Sequence, residues 1–130
     1  MTKKFSLSSR VRSFRYAVRG IGLMLKSQRN AWIHAVATVA VVVFAFLFGV
    51  TRSQWCWLVL AIVVVWTAEA LNTALEFLAD FASPEFHPLV KKAKDVAAGA
   101  VLISAIGSVI IALFVLGPYL LRFLYSLQSK

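Results

Sequence analysis

The stretch Trp55–Asp80 reads WCWLVLAIVVVWTAEALNTALEFLAD and changes along its length from apolar to acidic on one side. In a helix of about 100° per residue, offsets of three, seven and eleven residues keep four polar side chains within a sector of roughly 80°. Desolvating a carboxylate in lipid is costly unless a partner or a metal ion compensates the charge. The stretch therefore predicts a membrane-spanning helix whose polar side has a function. We call this side the acidic face, and its members are Glu69, Asn72, Glu76 and Asp80.

The composition is that of an all-α membrane protein. The chain has 130 residues, of which 61% are hydrophobic and 15% charged, whereas soluble domains are about half apolar and about a quarter charged. Three stretches, 31–50, 55–79 and 97–121, are each long enough to cross a hydrocarbon core of about 30 Å as a helix. They leave no room for a separate soluble domain, so residues 1–130 are predicted to form one membrane domain.

The net charge of +9 is distributed as membrane topology requires. Eight of the 14 Lys and Arg residues precede the first predicted span, and Lys91, Lys92 and Lys94 lie between the second and the third. An excess of basic residues marks cytoplasmic segments, which places the N-terminus and the 81–95 connection in the cytoplasm. The same residues attract anionic lipid. The distribution argues against nucleic acid as a partner.

Residues 10–29 are predicted to form an amphipathic helix in the cytoplasmic membrane interface. Their apolar residues recur at alternating spacings of three and four, with basic residues on a neighbouring stripe. The apolar positions are Val11, Phe14, Val18, Ile21 and Leu25.

Three spans alone cannot enclose several buried carboxylates, so we expect a homo-oligomer with the site between subunits.

The acidic face can support phosphoryl transfer to a lipid hydroxyl at the membrane boundary. Glu76, with or without Asp80, can hold Mg²⁺, which takes oxygen ligands and bridges phosphates. The more deeply placed Glu69 can accept a proton from a lipid alcohol, and Asn72 can orient an oxygen by hydrogen bonds. Lys94 can pair with a phosphate as a point charge. Phosphoryl transfer requires mainly positioning and charge neutralisation, so a small helical bundle can suffice.

Other interpretations of the same residues remain open. Ionisable groups inside spans often mark ion or proton pathways, so a small transporter that uses Glu69 is an alternative. The carboxylates can also pair only with cations on neighbouring helices. His34 in the first span and His87 in the loop are more often packing residues than ligands. The chain has no P-loop, glycine-rich kinase loop or nucleophile elbow.

Two segments, Ala68–Asp80 and Ser83–Leu102, resemble the signature of the prokaryotic diacylglycerol kinase family. The resemblance implies small trimeric lipid kinases of the bacterial inner membrane that use ATP and Mg²⁺ at a composite site between protomers. The product is phosphatidic acid or undecaprenyl phosphate. The motif Ser-Pro-x-x-His-Pro at 83–88 and the segment Arg29–His34 are more similar to the undecaprenol kinase branch.

The resemblance also implies roles for individual residues. Glu69 matches the proton acceptor on the lipid hydroxyl, Asn72 the polar residue beside it, and Glu76 a metal ligand that also contacts nucleotide. His34 occupies a position that contacts the lipid headgroup. The remaining nucleotide-contacting positions correspond to Tyr16, Glu85, Phe86, His87, Lys94 and Asp95.

One position departs from the family pattern. A second metal-binding glutamate is usual at the end of the surface helix, where this chain has Gln28. An amide oxygen binds a metal weakly and supplies no charge. We therefore expect weakened or altered use of Mg²⁺, with compensation from Asp80 or from ATP phosphates. An inactive family member that acts as a scaffold is the remaining alternative.

Overall fold

The structure, a computed structural model, describes the backbone of residues 7–129 and the side chains from Arg10 to Ser129. Residues 1–6 and 130, which the predicted domain includes, lie outside the described residues. The described chain folds into four α-helices, α1 (Leu7–Ser27), α2 (Arg29–Phe48), α3 (Arg52–Ala82) and α4 (Pro88–Gln128). Within it, α2, α3 and α4 are long and apolar enough to cross a membrane. The prediction of an all-helical membrane protein is confirmed.

The turn between α2 and α3 is shorter than the sequence predicts because both helix ends are capped. Gly49 adopts the left-handed conformation (φ 61°, ψ 44°), which glycine reaches without steric cost. Val50 N then donates to Ala45 O at 3.2 Å. Thr51 and Gln54 form a reciprocal capping box, so α3 begins at Arg52 rather than near residue 55.

The helix α4 extends well beyond the apolar stretch 97–121 at both ends. His87 caps its start, since His87 Nδ1 accepts from Leu89 N at 3.2 Å, and Pro88 occupies the first turn, where a missing N–H has no cost. Its 41 residues correspond to about 60 Å, roughly twice the hydrocarbon core. Lys94 and Asp95 therefore lie on the same continuous helix as the span.

The helices α3 and α4 form the principal helix pair, and α2 packs beside them. Ser108, one of the small residues that recur along α4, donates across the pair to Ala61 O at 3.0 Å. Trp66 Nε1 donates to Thr38 Oγ1 at 3.0 Å and joins α3 to α2. The positions of Gly99 and Gly107 face open space, so their small size serves no contact within the described part of this chain.

The first helix packs against α2 and α3, and Met24, near its C-terminal end, is buried. A shallow pocket between α1 and α3 includes Met24, Gly20 and Thr73. The periodic apolar residues Val11 and Phe14 are exposed. This exposure leaves the apolar stripe of α1 available to a membrane surface or to another chain.

Candidate functional site

The acidic face of α3 meets α2 and α4 at a pocket of about 220 Å³. Glu69, Asn72 and Glu76 line it from α3, at the three- and four-residue spacing that places side chains on one helix face. His34 lines it from α2 and Val101 from α4. The structure thus brings together the predicted catalytic residues, the predicted metal ligand and the predicted lipid contact.

Glu69 is the most completely buried charged residue, with 1% of its surface exposed. Within the described residues, neither of its carboxylate oxygens has a hydrogen-bond partner. The nearest cationic candidate is His34, whose Nε2 lies 3.9 Å from Glu69 Oε2 and is also buried without a partner. Unpaired buried polar atoms are costly and uncommon. Two such groups facing one pocket therefore indicate a site for a polar ligand atom.

Glu76 has both carboxylate oxygens occupied by amides. Gln28 Nε2 donates to Glu76 Oε2, and Asn72 Nδ2 donates to Glu76 Oε1 at 3.2 Å. The junction between α1 and α2 thus meets the acidic face at the two residues predicted to bind metal. Asn72 Oδ1 is buried and has no partner in the described chain.

These residues fit a divalent cation that is shared with a phosphate ligand. The available oxygens are the Glu76 carboxylate, the orphaned Asn72 Oδ1 and, after rotation of its amide, that of Gln28. Among the described residues, no cluster of three or more His, Cys, Asp or Glu side chains could hold a metal ion. Mg²⁺ characteristically uses one or two carboxylates and takes its other ligands from water and substrate phosphates. Only Glu76 supplies charge here.

Asp80, the last member of the acidic face, lies outside this pocket. Its carboxylate accepts from Lys94 Nζ. Both residues line a second pocket, of about 360 Å³, formed by the end of α3, the loop after it and the start of α4. Asp80 thus pairs with Lys94, and its position does not support the expected compensation for Gln28.

The second pocket collects most of the residues predicted to contact nucleotide. Asp95, just outside it, pairs with Lys91, whose Nζ lies 2.7 Å from Asp95 Oδ2. Tyr16 lies on α1 with 61% of its surface exposed and lines neither pocket. The predicted residues that line the second pocket are Glu85, Phe86, His87 and Lys94.

Asn30 and Lys91 line these pockets but were not among the predicted site residues. Asn30 lines the first pocket and lies four residues before His34, on the same face of α2. Lys91 lines the second pocket and lies four residues before Asp95 on α4. The helical spacing could have identified both, because each shares a helix face with a residue that was predicted.

Comparison with known proteins places this geometry in context. The family model described as prokaryotic diacylglycerol kinase matches residues 15–116. The undecaprenol kinase of Bacillus subtilis is 40% identical over 109 residues, which cover 84% of this chain and 89% of that protein. The diacylglycerol kinase of Escherichia coli K12 is 31% identical over 111 residues, which cover 80% of this chain and 91% of that protein.

The diacylglycerol kinase of Synechocystis is 43% identical over 110 residues. The match covers 84% of this chain and 63% of the cyanobacterial protein, so this chain spans less than two thirds of that relative. The matches to all three proteins run along most of the chain and are not confined to the acidic face or to the loop after α3.

Proposed function

Because this chain belongs to the prokaryotic diacylglycerol kinase family and is a lipid kinase, we propose that it transfers the γ-phosphate of ATP to the hydroxyl of a membrane lipid alcohol beside Glu69. The observation that carries this assignment of the site is the buried Glu69 carboxylate, which has no partner in the described chain and faces a pocket. Undecaprenol is favoured over diacylglycerol because the motif at 83–88 and the segment Arg29–His34 are more similar to the undecaprenol kinase branch, whereas the named relatives include kinases of both kinds.

The hydroxyl of the acceptor lipid binds between Glu69 and His34. An oxygen about 2.8 Å from each of Glu69 Oε2 and His34 Nε2 fits the 3.9 Å between those atoms. Glu69 accepts the hydroxyl proton as the alcohol oxygen forms its bond to the γ-phosphorus. The bond from that phosphorus to the bridging oxygen breaks, and ADP leaves with the electron pair. Asn72 orients the reacting groups through its amide, because Oδ1 can accept from a hydroxyl and Nδ2 can donate to a phosphate oxygen.

Mg²⁺, when bound, would be held by Glu76 with help from Asn72 and Gln28, and it would neutralise charge on the phosphates. The rest of ATP binds toward the second pocket, where Lys94 supplies a cation for phosphate oxygens. Glu85, Phe86, His87 and Asp95 contact the nucleotide there. These assignments are supported by the shared lining of the second pocket and by the position of Asp95 next to Lys91.

The proposed assembly is a homotrimer in the bacterial inner membrane with the N-terminus in the cytoplasm. Tyr16 lines neither pocket within one chain, so its predicted contact with nucleotide is assigned to a pocket of another protomer. Open faces at Gly99 and Gly107 are available for close helix contacts between copies. The helix α1 lies in the cytoplasmic interface with Val11 and Phe14 toward lipid. The excess of basic residues before α2 supports this orientation.

Phosphorylation of lipid alcohols in mixed micelles tests the proposal directly. The purified protein is incubated with ATP labelled at the γ-phosphate and with undecaprenol or a diacylglycerol. A labelled lipid is expected, and its formation should depend on Glu69. A transporter would give pH-dependent flux without labelled lipid, and a scaffold would give neither. Absence of labelled lipid with every alcohol would refute the proposed site.

Substitution of Asp80 by asparagine is expected to lower the KM for ATP by up to about fivefold. Asp80 pairs with Lys94 in the structure, and an exposed pair of this kind contributes at most about 1 kcal/mol, or a factor of about five. In Asp80→Asn, Lys94 no longer has to leave a carboxylate before it binds a phosphate of ATP. Steady-state kinetics at saturating lipid measure the effect. Asp95→Asn should instead raise the KM, and a higher KM in Asp80→Asn would place Asp80 itself in contact with nucleotide.

Replacement of Gln28 by glutamate is expected to lower the Mg²⁺ concentration required for half-maximal activity by about tenfold, the lower end of effects around metal sites. The new carboxylate lies against Glu76 and adds charge that retains the cation. Without Mg²⁺ the two carboxylates repel each other, so the thermal unfolding midpoint of Gln28→Glu should rise with Mg²⁺ more than that of the wild type. Gln54→Glu, at the other end of α3, adds the same charge away from the site. An unchanged metal requirement in Gln28→Glu would contradict the assigned role.

A further inference from the structure

A further cavity adjoins the first pocket, which Glu69 lines and which we call the Glu69 pocket, on the side away from Glu76. It is a groove of about 250 Å³ between α2, α3 and α4. Ile33, His34 and Ala105 line both cavities, so the groove begins where the acceptor hydroxyl is proposed to bind. From there it follows α2 as far as Val41. Eight helical residues correspond to a length of about 12 Å.

The walls of the groove suit hydrocarbon. They are small or branched apolar side chains, among them Ala37, Ala61 and Ala112. The two hydroxyls in the wall are engaged, since Thr38 Oγ1 accepts from Trp66 Nε1 and Ser108 Oγ bonds to backbone carbonyls of Ala61 and Ser104. Apart from His34 and these two hydroxyls, the residues that line the groove are all apolar.

The dimensions of the groove fit one chain. A volume of about 250 Å³ spread over about 12 Å gives a mean cross-section of about 20 Å². That area is roughly the cross-section of a single hydrocarbon chain whose carbons contact the wall at about 4 Å. At about 1.2 Å per backbone bond, the groove accommodates about ten carbons.

The mouth of the groove disfavours an ester next to the reacting carbon. Of the residues shared by the two cavities, only His34 carries a hydrogen-bond donor in its side chain, and the acceptor hydroxyl uses it. Glu69 offers only acceptor oxygens when it is ionised. An ester carbonyl drawn into this stretch from the hydrated interface would therefore lose its hydrogen bonds without replacement.

We propose that this groove binds the hydrocarbon chain of a single-chain, ester-free alcohol of the polyprenol class and thereby selects it over diacylglycerol. The inference rests on the proposed function of the Glu69 pocket. Both kinds of lipid leave a bilayer to bind, so transfer of the chain from water does not separate them. The two lipids differ instead in the width that a second chain requires and in the ester, which would lose its hydrogen bonds in the groove. A diacylglycerol must keep its second chain and its esters outside the groove.

The test compares kcat/KM for prenol, geraniol, farnesol, undecaprenol and dioleoylglycerol at equal mole fractions in detergent micelles. For the wild type, kcat/KM should rise with chain length up to about ten carbons and level off beyond. Undecaprenol should exceed dioleoylglycerol by at least about tenfold, the factor that corresponds to 1.4 kcal/mol. An equal or greater value for dioleoylglycerol would overturn the proposal.

Ala37→Leu provides the structural arm of the test, because Ala37 lines the groove one turn beyond His34. The ratio of kcat/KM for farnesol to that for prenol should fall by about tenfold or more. Ala40→Leu, an exposed position of α2 that does not line the groove, should keep the wild-type ratio. If Ala37→Leu does not fold, Ala112→Leu is used instead, because it fills the far end of the groove. In that variant kcat/KM should stop rising at a shorter chain length than in the wild type.

The results separate this inference from the function on which it rests. Labelled products from all alcohols without a preference for chain length or class, or equal ratios in Ala37→Leu and Ala40→Leu, would refute the groove and leave the kinase site intact. The absence of any labelled product would refute the kinase site itself.

Discussion

Replacement of Glu69 by glutamine is expected to lower kcat for lipid phosphorylation by about 10² to 10⁴-fold, the range of a general base. Glutamine keeps the size of the side chain and removes its capacity to accept a proton. Since the hydroxyl can still bind between residue 69 and His34, the KM for the lipid should change far less than kcat. Steady-state kinetics with undecaprenol in mixed micelles measure both quantities.

Stability distinguishes this catalytic role from a structural one. Glu69 is buried and unpaired within the described chain, so its neutral amide should be tolerated better than its carboxylate. Glu69→Gln should therefore unfold at the same or a higher temperature than the wild type while its activity is lost. Glu69→Asp retains a base displaced by one methylene and should recover part of kcat. A lower unfolding temperature in Glu69→Gln, in parallel with its lost activity, would indicate that the carboxylate mainly holds the helices together.

Replacement of Glu76 by glutamine is expected to lower activity at least about 100-fold at millimolar Mg²⁺, since second-shell partners of metals alone change activity by about 10- to 100-fold. The Glu76 carboxylate accepts hydrogen bonds from both Gln28 and Asn72. Its loss would leave three amides as the proposed ligands from the protein, none of which carries a charge to retain a divalent cation. The measurement is activity as a function of Mg²⁺ at fixed ATP, and saturation should move to higher concentrations.

Gln28→Ala is the matched control for Glu76→Gln. It removes the donor to Glu76 Oε2 and leaves the carboxylate, so its effect should be near the lower end of the 10- to 100-fold range. Equal losses in the two variants would mean that the hydrogen bond between Gln28 and Glu76 matters more than the charge. A Glu76→Gln enzyme with a wild-type response to Mg²⁺ would remove Glu76 from the proposed metal site.

Most of the helices follow from local chemistry. The turn at residues 49–51 and the loop at residues 83–88 follow from glycine and proline, because the backbone preferences of these two residue types are unusual or restricted. The ends of α3 and α4 were less predictable, because apolar composition marks where a helix enters lipid and not where its hydrogen bonds start. Thr51 and His87 set those starts by capping.

The amino-acid sequence alone determined that long apolar helices form and that Glu69, Asn72 and Glu76 share one face, because lipid requires every backbone hydrogen bond to be made within the chain and helical periodicity is local. Only the tertiary structure decided which distant side chains meet that face. The crossing of α2 past α3 places His34 beside Glu69, and the return of α4 draws Asp80 to Lys94 and encloses the groove. Such contacts depend on how helices pack against each other, which a periodic pattern within one helix does not specify.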